Sequence, residues 1–421
     1  MIVQYTVGNF RSFNDKKTLN FEANGISELK SNVFSAGKYK LLRSVVVYGA
    51  NSSGKSNLIK ALKTMKEVVL TSVKLNDSDK LDYSPFLLST ESEKEPTFFE
   101  VVFLQDDFCY KYGFEYNQNE ITKEWLFHKK GTKLEKPLFL RTLEGIAVAD
   151  EFKEGIGKEV LTNDNRLFIS LVAQLGGIIS KKIIDWFNRY NVISGLDNKD
   201  YNQFTTEMLH KKLDGFEESL SLLKTLKLGF KDIKTTESAF NLGRIQKDLP
   251  SEINANLQKE LAGKTRISLN TIHNKYDKSG EVISTQEFDK DEMESEGTKK
   301  LIDLSGPIFD TLIFGKLLIV DELDAKLHPL ITVHLINLFN NPKTNPNNAQ
   351  LLFATHDTNL LSTDIFRRDQ IWFTQKDEKE ATDLYSLYDF NLSDGSKVRN
   401  DANMEKNYIR GRYGAIPFIT N

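Results

Sequence analysis

Hydrophobic and polar positions change period several times along this chain. Ile2, Val3, Tyr5 and Val7 alternate as in a half-buried strand that ends at Gly8, and Leu19–Glu22 reads as a second short strand. Ser44–Tyr48 is a β-branched run without alternation, the profile of a buried parallel strand. A glycine-rich turn follows, and from Asn57 to Val69 apolar residues recur at helical spacing, so this stretch reads strand, loop, helix. Phe98–Leu104, Tyr110–Tyr116 and Glu120–Phe127 then predict antiparallel strands joined by polar turns such as Asn117–Asn119, and a helical region begins within Asn163–Gln174.

The pattern shifts again between about Ile179 and Asn254. Leu209, Leu213, Phe216, Leu220 and Leu223 recur at steps of four and three, a short bundle-like seam that stops before Gly229. Two heptads are too few for a long coiled-coil arm, so the expectation is a helical insertion packing on its own neighbours. From about Ile267 the chain returns to α/β character. Leu317–Val320 and Leu351–Ala354 read as buried strands, Gln370–Thr374 and Asp383–Leu387 as later ones, and Lys343–Asn348 as a polar loop. The expected organisation is a first lobe over 1–175, a helical insertion over 176–265 and a second lobe over 266–421, with no internal repeat.

Composition narrows the class. With 421 residues, 39% hydrophobic and 27% charged, the chain can bury a real core. The formal net charge of −3 removes any global basic excess, though not a local basic groove. A single cysteine, Cys109, excludes an internal disulfide framework and suits a reducing compartment; its strand-like surroundings make it a small core filler. The apolar runs at Val45–Tyr48 and Leu317–Val320 are strand-length, far short of a membrane span. A soluble cytoplasmic protein without membrane contact is expected.

The chemistry begins at Gly49-Ala50-Asn51-Ser52-Ser53-Gly54-Lys55-Ser56, which fits the phosphate-loop pattern. Its glycines let backbone N–H groups turn toward phosphate oxygens, and the following helix adds its positive end. Lys55 would reach the β- and γ-phosphates of a nucleoside triphosphate, and Ser56 would offer its hydroxyl to Mg²⁺. A second piece is Leu317–Glu322, a buried strand that ends in two acids. Asp321 would hold Mg²⁺, and Glu322 would polarise the attacking water. Asp289-Lys290-Asp291 also carries two acids, but no buried strand leads into it, and it reads as a solvated acidic loop.

These pieces together resemble ABC-type ATPases. Asp321-Glu322 followed by Asp324 resembles their D-loop, and Leu327-His328-Pro329 is similar to the RecF, Smc and OLD branch. Thr355-His356-Asp357, after the next strand, matches the histidine loop of that family, which implies that His356 contacts the γ-phosphate. Glu294–Lys300 resembles a degenerate signature, with Ser295 and Gly297 at the start of a helix through Leu301–Leu304. In the family the signature reaches a nucleotide held by a second copy. It departs here from Leu-Ser-Gly-Gly-Gln. Gln174 is a candidate for the glutamine loop, and Arg11 for a place near the nucleotide.

The opening Asn9–Phe13 and the ending Tyr408–Pro417 resemble stand-alone OLD-like ATPases of two-gene phage-defence systems, of the AbiL, RloA and AriA kind. Only 65 residues follow His356, too few for the nuclease domain of OLD nucleases. The resemblance therefore implies an α/β, two-lobed, Mg²⁺-dependent ATPase. It would form a homodimer or a higher even-numbered assembly around ATP and gate a separate effector, a nuclease or toxin. A RecF- or Smc-like clamp with DNA as ligand is the alternative, and a transporter motor is disfavoured by the degenerate signature and the insertion.

Overall fold

The computed structural model describes residues 1–199, 201–239, 265–392 and 395–417. The chain is α/β and divides into two compact units, one formed by Met1–Leu196 with Phe314–Asn421, the other by Asp197–Ile313.

The first unit is built on two large sheets. Its strands are β1 (Ile2–Gly8), β2 (Lys17–Asn20), β3 (Val33–Ala36), β4 (Tyr39–Leu42), β5 (Ser44–Tyr48), β6 (Thr97–Gln105), β7 (Phe108–Tyr116), β8 (Ile121–Lys130), β9 (Lys136–Thr142), β10 (Gly145–Val148) and β11 (Tyr190–Ser194). The second unit holds β12 (Asp232–Ala239), β13 (Thr265–Tyr276) and β14 (Val282–Asp289). The first unit resumes with β15 (Leu317–Asp321), β16 (Gln350–Ala354), β17 (Ile371–Lys376) and β18 (Thr382–Ser386).

Strands β10-β9-β8-β7-β6-β1-β2 make a seven-stranded sheet, antiparallel throughout. Alternation along β6 sends Thr97, Phe99, Val101 and Phe103 inward, where they join Tyr112, Phe114 and Tyr116 of β7 in one aromatic core. The expected antiparallel strands are all present. Cys109 is buried on β7, with Tyr39 Oη 3.4 Å from its sulfur, as a filler would be.

The second sheet has the order β11-β15-β16-β5-β17-β18 and is parallel except for β18. Strand β5 is buried at every residue because both faces are covered. On one side lies α1 (Lys55–Thr71), whose Leu58, Ala61, Leu62, Met65 and Val69 face inward at helical spacing. Helices α2 (Phe168–Gln174) and α3 (Ile178–Asn188) pack beside α1.

Two carboxylates, the buried Glu124 and the half-buried Glu154, start these helices. Glu124 accepts from the amides of Phe168 and Ile169 at 2.7 and 3.0 Å, and Glu154 accepts from those of Ile178, Ile179 and Ser180. Each satisfies the orphan N–H groups of a helix start and complements its dipole.

The second unit carries α4 (Asn202–Lys211), α5 (Phe216–Thr225), the short α6 (Lys290–Met293) and α7 (Glu296–Phe314), with the sheet β12-β13-β14. Here the structure differs from the sequence expectation in three ways. The Leu209–Leu223 seam is not one helix: Lys212 and Gly215 take positive φ of 49° and 97°, so the chain turns and Leu213 is left exposed. The stretch 176–265 is not a wholly helical insertion either. Its first twenty residues contain α3 and β11, and β11 pairs in parallel with β15, which places them in the first unit; β12 is a strand, and residues 240–264 lie outside the described ones. Finally, Asp289–Asp291 is not a loop: Asp289 ends β14 and Lys290, only 3% exposed, opens α6, while Asp291 is solvated as expected.

The first unit is completed by α8 (Pro329–Asn340) and α9 (Met404–Ile409). Helix α8 covers the other face of β5 and β16. It begins with His328 accepting from the Leu330 amide and with Pro329 at the first helical position, where no donor is needed. Tyr408 and Tyr413 of the C-terminal tail pack on Phe373, and Tyr408 also on Tyr48.

Candidate functional site

Three neighbouring parallel strands bring the expected residues to one edge. β5 leads into the phosphate loop, β15 ends at Asp321, and β16 runs into Thr355-His356-Asp357. Because β16 lies between β5 and β15, their C-terminal ends are adjacent, the usual place for a ligand on an open α/β sheet.

The loop from Gly49 to Ser56 has the backbone its sequence requires. Gly49, Ser52 and Gly54 take φ of 157°, 63° and 116°. At Gly49 a Cβ would sit 2.5 Å from Thr374 O, and at Gly54 it would overlap the Thr382 side chain, so only glycine fits either position. The buried Ser53 hydroxyl lies 2.7 Å from Thr374 Oγ1. Ala50 and Asn51 complete the turn, and Ser56 is half-buried on the first turn of α1.

A second support was not foreseen. Thr382 Oγ1 is 3.0 Å from Ser53 O and 2.7 Å from Ser12 Oγ, while Asn57 Nδ2 donates to Ser12 Oγ at 2.8 Å. A hydroxyl has one proton, so the chain of donors runs Asn57 to Ser12 to Thr382 to Ser53 O. Ser12 belongs to the Asn9–Phe13 turn, closed by paired bonds between Phe10 and Phe13. Arg11 sits on that turn with φ 51° and an exposed side chain.

Lys55 is 5% exposed, and its ammonium donates to Gly49 O at 2.8 Å and Ala50 O at 3.1 Å. Burial lowers its pKa to about 8, against the pull of Asp321, Glu322 and Asp324. The same carboxylates act on His356: burial first, then Lys55, holds its imidazole below the ordinary value, and the three acids oppose this. Lys55, Asp321, Glu322, Asp324 and His356 therefore share one electrostatic site.

A pH dependence follows. A triphosphate beside Lys55 stabilises the ammonium and raises its pKa. Affinity should hold steady below about pH 8 and fall by up to ~10-fold per pH unit above it, because binding must then take up a proton. Titration of nucleotide between pH 7 and 9.5 checks this; a flat profile would remove Lys55 from contact with phosphate.

The acid strand shows a fit for a divalent cation. Asp321 Oδ1 and Asp324 Oδ1 are both shut off from solvent, yet neither is hydrogen-bonded, a costly arrangement unless another group completes it. Among the described residues no cluster of three or more His, Cys, Asp or Glu could by itself hold a metal. Mg²⁺ needs no such cage, since it is commonly bound by one or two side chains, water and substrate phosphate. Asp321 and Ser56 are the residues that would hold it.

Glu322 has φ 58°, a region that a non-glycine side chain enters at a cost of about 1–3 kcal/mol and that recurs at active sites. Gly195 packs directly against it. This residue follows β11, where Ser194 pairs with Asp321, and its amide donates to Asp321 O at 2.6 Å. A Cβ on Gly195 would lie 2.8 Å from Asp321 O and inside contact distance of Glu322 O. Gly195→Ala should displace the Glu322 backbone and lower kcat by roughly 10- to 100-fold, the scale of a misplacement near 1 Å. ATP affinity should stay unchanged, and paired binding and turnover measurements check both. The sequence carried a signal here, the β-branched pair Val192-Ile193 before glycine, but the strand's partner lies more than a hundred residues away.

The remaining candidates are distributed differently. Ser295 and Gly297 lie in the second unit, at the start of α7, where Ser295 Oγ accepts from the Thr298 amide at 3.2 Å. Gln174 ends α2 with an exposed side chain, and no hydrogen bond links it to the phosphate loop among the described residues. Among those residues no helix is long and apolar enough to cross a membrane.

Comparison with known proteins places the chain. It is similar to the SMC head domain from Thermotoga maritima, at 11% identity over 91% of this chain and 98% of that one, with a TM-score of 0.43. It is also similar to an SmcHead bound to the C-winged helix domain of ScpA, at 11% identity over 94% and 99%, TM-score 0.43. A third likeness is to the recombination mediator protein RecF with ATP, at 14% identity over 91% and 97%, TM-score 0.30. No curated protein matches the chain. A family model does match, over residues 44–362, from the start of β5 past the histidine loop. The protein thus belongs to the family described as AAA domain, putative AbiEii toxin, Type IV TA system.

Proposed function

We propose that this protein is an ABC-type, Mg²⁺-dependent ATPase that dimerises around ATP and gates a separate effector in anti-phage defence. The observation that carries the reading is the convergence of Lys55, Asp321, Glu322, Asp324 and His356 at the ends of β5, β15 and β16, with two buried carboxylate oxygens left without partners.

The loop amides of Gly49–Ser56 and the start of α1 receive the phosphates, and Lys55 exchanges its two carbonyl partners for phosphate oxygens. Bound Mg²⁺ supplies charge neutralisation at the phosphate oxygens. Glu322 accepts a hydrogen bond from the attacking water and orients it, and His356, neutral near pH 7, lies on the γ-phosphate side. Ser295 and Gly297 come from a second copy. Closure on a shared triphosphate is favoured because charge is neutralised across the interface, and hydrolysis removes the contact that held it. The effector, a nuclease or toxin, is another polypeptide in this reading, in keeping with a family description that names a toxin and a toxin–antitoxin system.

The test is the solution mass of Glu322→Gln protein with and without ATP and Mg²⁺, scanned for bound protein and DNA. An ATP-dependent, even-numbered assembly that retains a protein partner supports the reading. Retained DNA moves it to a RecF- or Smc-like clamp. A monomer under every condition ends the shared-site mechanism.

A further inference from the structure

The segment that carries Ser295 is braced on both sides by buried polar contacts, all within the second unit. Lys290, 3% exposed, places its Nζ 2.6 Å from Oδ1 of Asp303, which is fully buried on α7. Asn198 donates to the other carboxylate oxygen. The Asp303 carbonyl also needs a partner, because Pro307, four residues on, has no N–H to give. Thr205 Oγ1 fills that role, and Gly306 leaves room for it, since a Cβ there would meet Thr205 Cα at 3.0 Å.

On the other side, Glu294 accepts from Thr271 Oγ1 at 2.7 Å and lies 3.0 Å from His273 Nε2, both on β13. Lys299 Nζ closes the turn onto Asp291 O at 2.6 Å. Ser295, in the middle of this brace, is exposed. The neighbours are fixed, and the exposed residue's hydroxyl sits on the helix start, accepting from the Thr298 amide at 3.2 Å.

A buried ion pair is a poor source of net stability, because desolvation offsets most of its attraction. Its directional contacts do define one geometry. We infer that Lys290 and Asp303 are positioning residues that fix the start of α7, so that Ser295 and Gly297 are presented to a nucleotide bound by a second copy. This rests on the shared-site reading above. Neither residue touches nucleotide; each acts through the helix start.

The test is complementation between copies. Lys290→Met should lower kcat by roughly 10- to 100-fold, as a misplaced contact does. Its ATP affinity should stay at the parent's, because its own phosphate loop is intact. Mixed with Lys55→Ala protein, which lacks nucleotide but keeps a sound signature, it should regain activity well above the sum of the two. Asp303→Asn, which keeps the shape and one acceptor oxygen for Lys290 but removes the charge and turns an amide NH2 toward Asn198, should behave in the same direction more mildly, and it carries the test should Lys290→Met fail to fold.

Ser295→Arg mixed with Lys55→Ala is the control. If that pair shows no recovery, the shared-site reading itself is wrong. If it recovers, three results each overturn the positioning role of Lys290: full activity of Lys290→Met alone, loss of its ATP affinity, or no rescue by Lys55→Ala.

Discussion

Glu322→Gln protein should bind ATP and Mg²⁺ like the parent and turn over about 100-fold more slowly or worse, the range of a lost general base or water-orienting carboxylate. The substitution removes one charge and leaves the shape. Glutamine still occupies the φ 58° position packed against Gly195, so the loop that carries Asp321 and Asp324 stays in place. Lys55 loses one of the three carboxylates that act on it, while Asp321, the largest of the three contributions, is untouched. Binding should therefore survive where chemistry does not, and any ATP-dependent assembly should persist because its release depends on hydrolysis. Phosphate-release rates beside equilibrium ATP binding separate the two effects. Turnover at the parent rate would take Glu322 out of its assigned role, and loss of binding would make it a structural support for the site.

Lys55→Ala should show the opposite split, with nucleotide affinity down by roughly 100-fold or more. The lost bonds are charge-assisted, worth about 1.5–3 kcal/mol each, and ~1.4 kcal/mol is tenfold in affinity. The protein itself should not suffer in proportion. Burial lowers the pKa of Lys55 to about 8. A lysine held that far below its unfolded value costs on the order of 3 kcal/mol while it is charged. The sign follows from proton binding. Between pH 8 and the unfolded lysine value the unfolded chain binds more protons, so the native protein gains stability as pH rises through that window. The penalty is fully present below pH 8. A Lys55→Met variant, which fills the same space without the charge, should be more stable than the parent near pH 7 while binding no nucleotide. A rise in Tm with loss of ATP binding would mark Lys55 as a residue kept for function at the expense of stability. Intact affinity would remove the phosphate-loop assignment altogether.

Much of the site was legible because its chemistry is local. Gly49 and Gly54 lie where backbone must pass close to Thr374 and Thr382, and that need appears in the chain as glycine whatever surrounds it. Asp321 and Glu322 follow an apolar strand directly, and His356 follows another, so strand ends and chemistry could be read together. The antiparallel strands β6, β7 and β8 were legible for the same reason: alternation and short turns are near-neighbour properties.

What the residues dictated by themselves was the set of elements and the candidate groups for nucleotide handling: a glycine loop between strand and helix, acids after one apolar strand, a histidine after the next. Hydrophobic period and steric need act within a few residues, so a single chain displays them. Tertiary structure alone decided the rest. Pairing of β11 with β15 drew Tyr190–Ser194 out of an apparent helical insertion and set Gly195 against Glu322. Residues Lys212 and Gly215 turned an apparent continuous seam into two helices, because α4 and α5 each pack on other partners in their unit, with Gly215 close against Phe309. Lys290 became a buried ion pair only because Asp303, thirteen residues on, points back at it from α7. In each case the deciding contact is between residues that the local pattern does not relate, and its free energy depends on desolvation and fit that exist only once the chain has closed on itself.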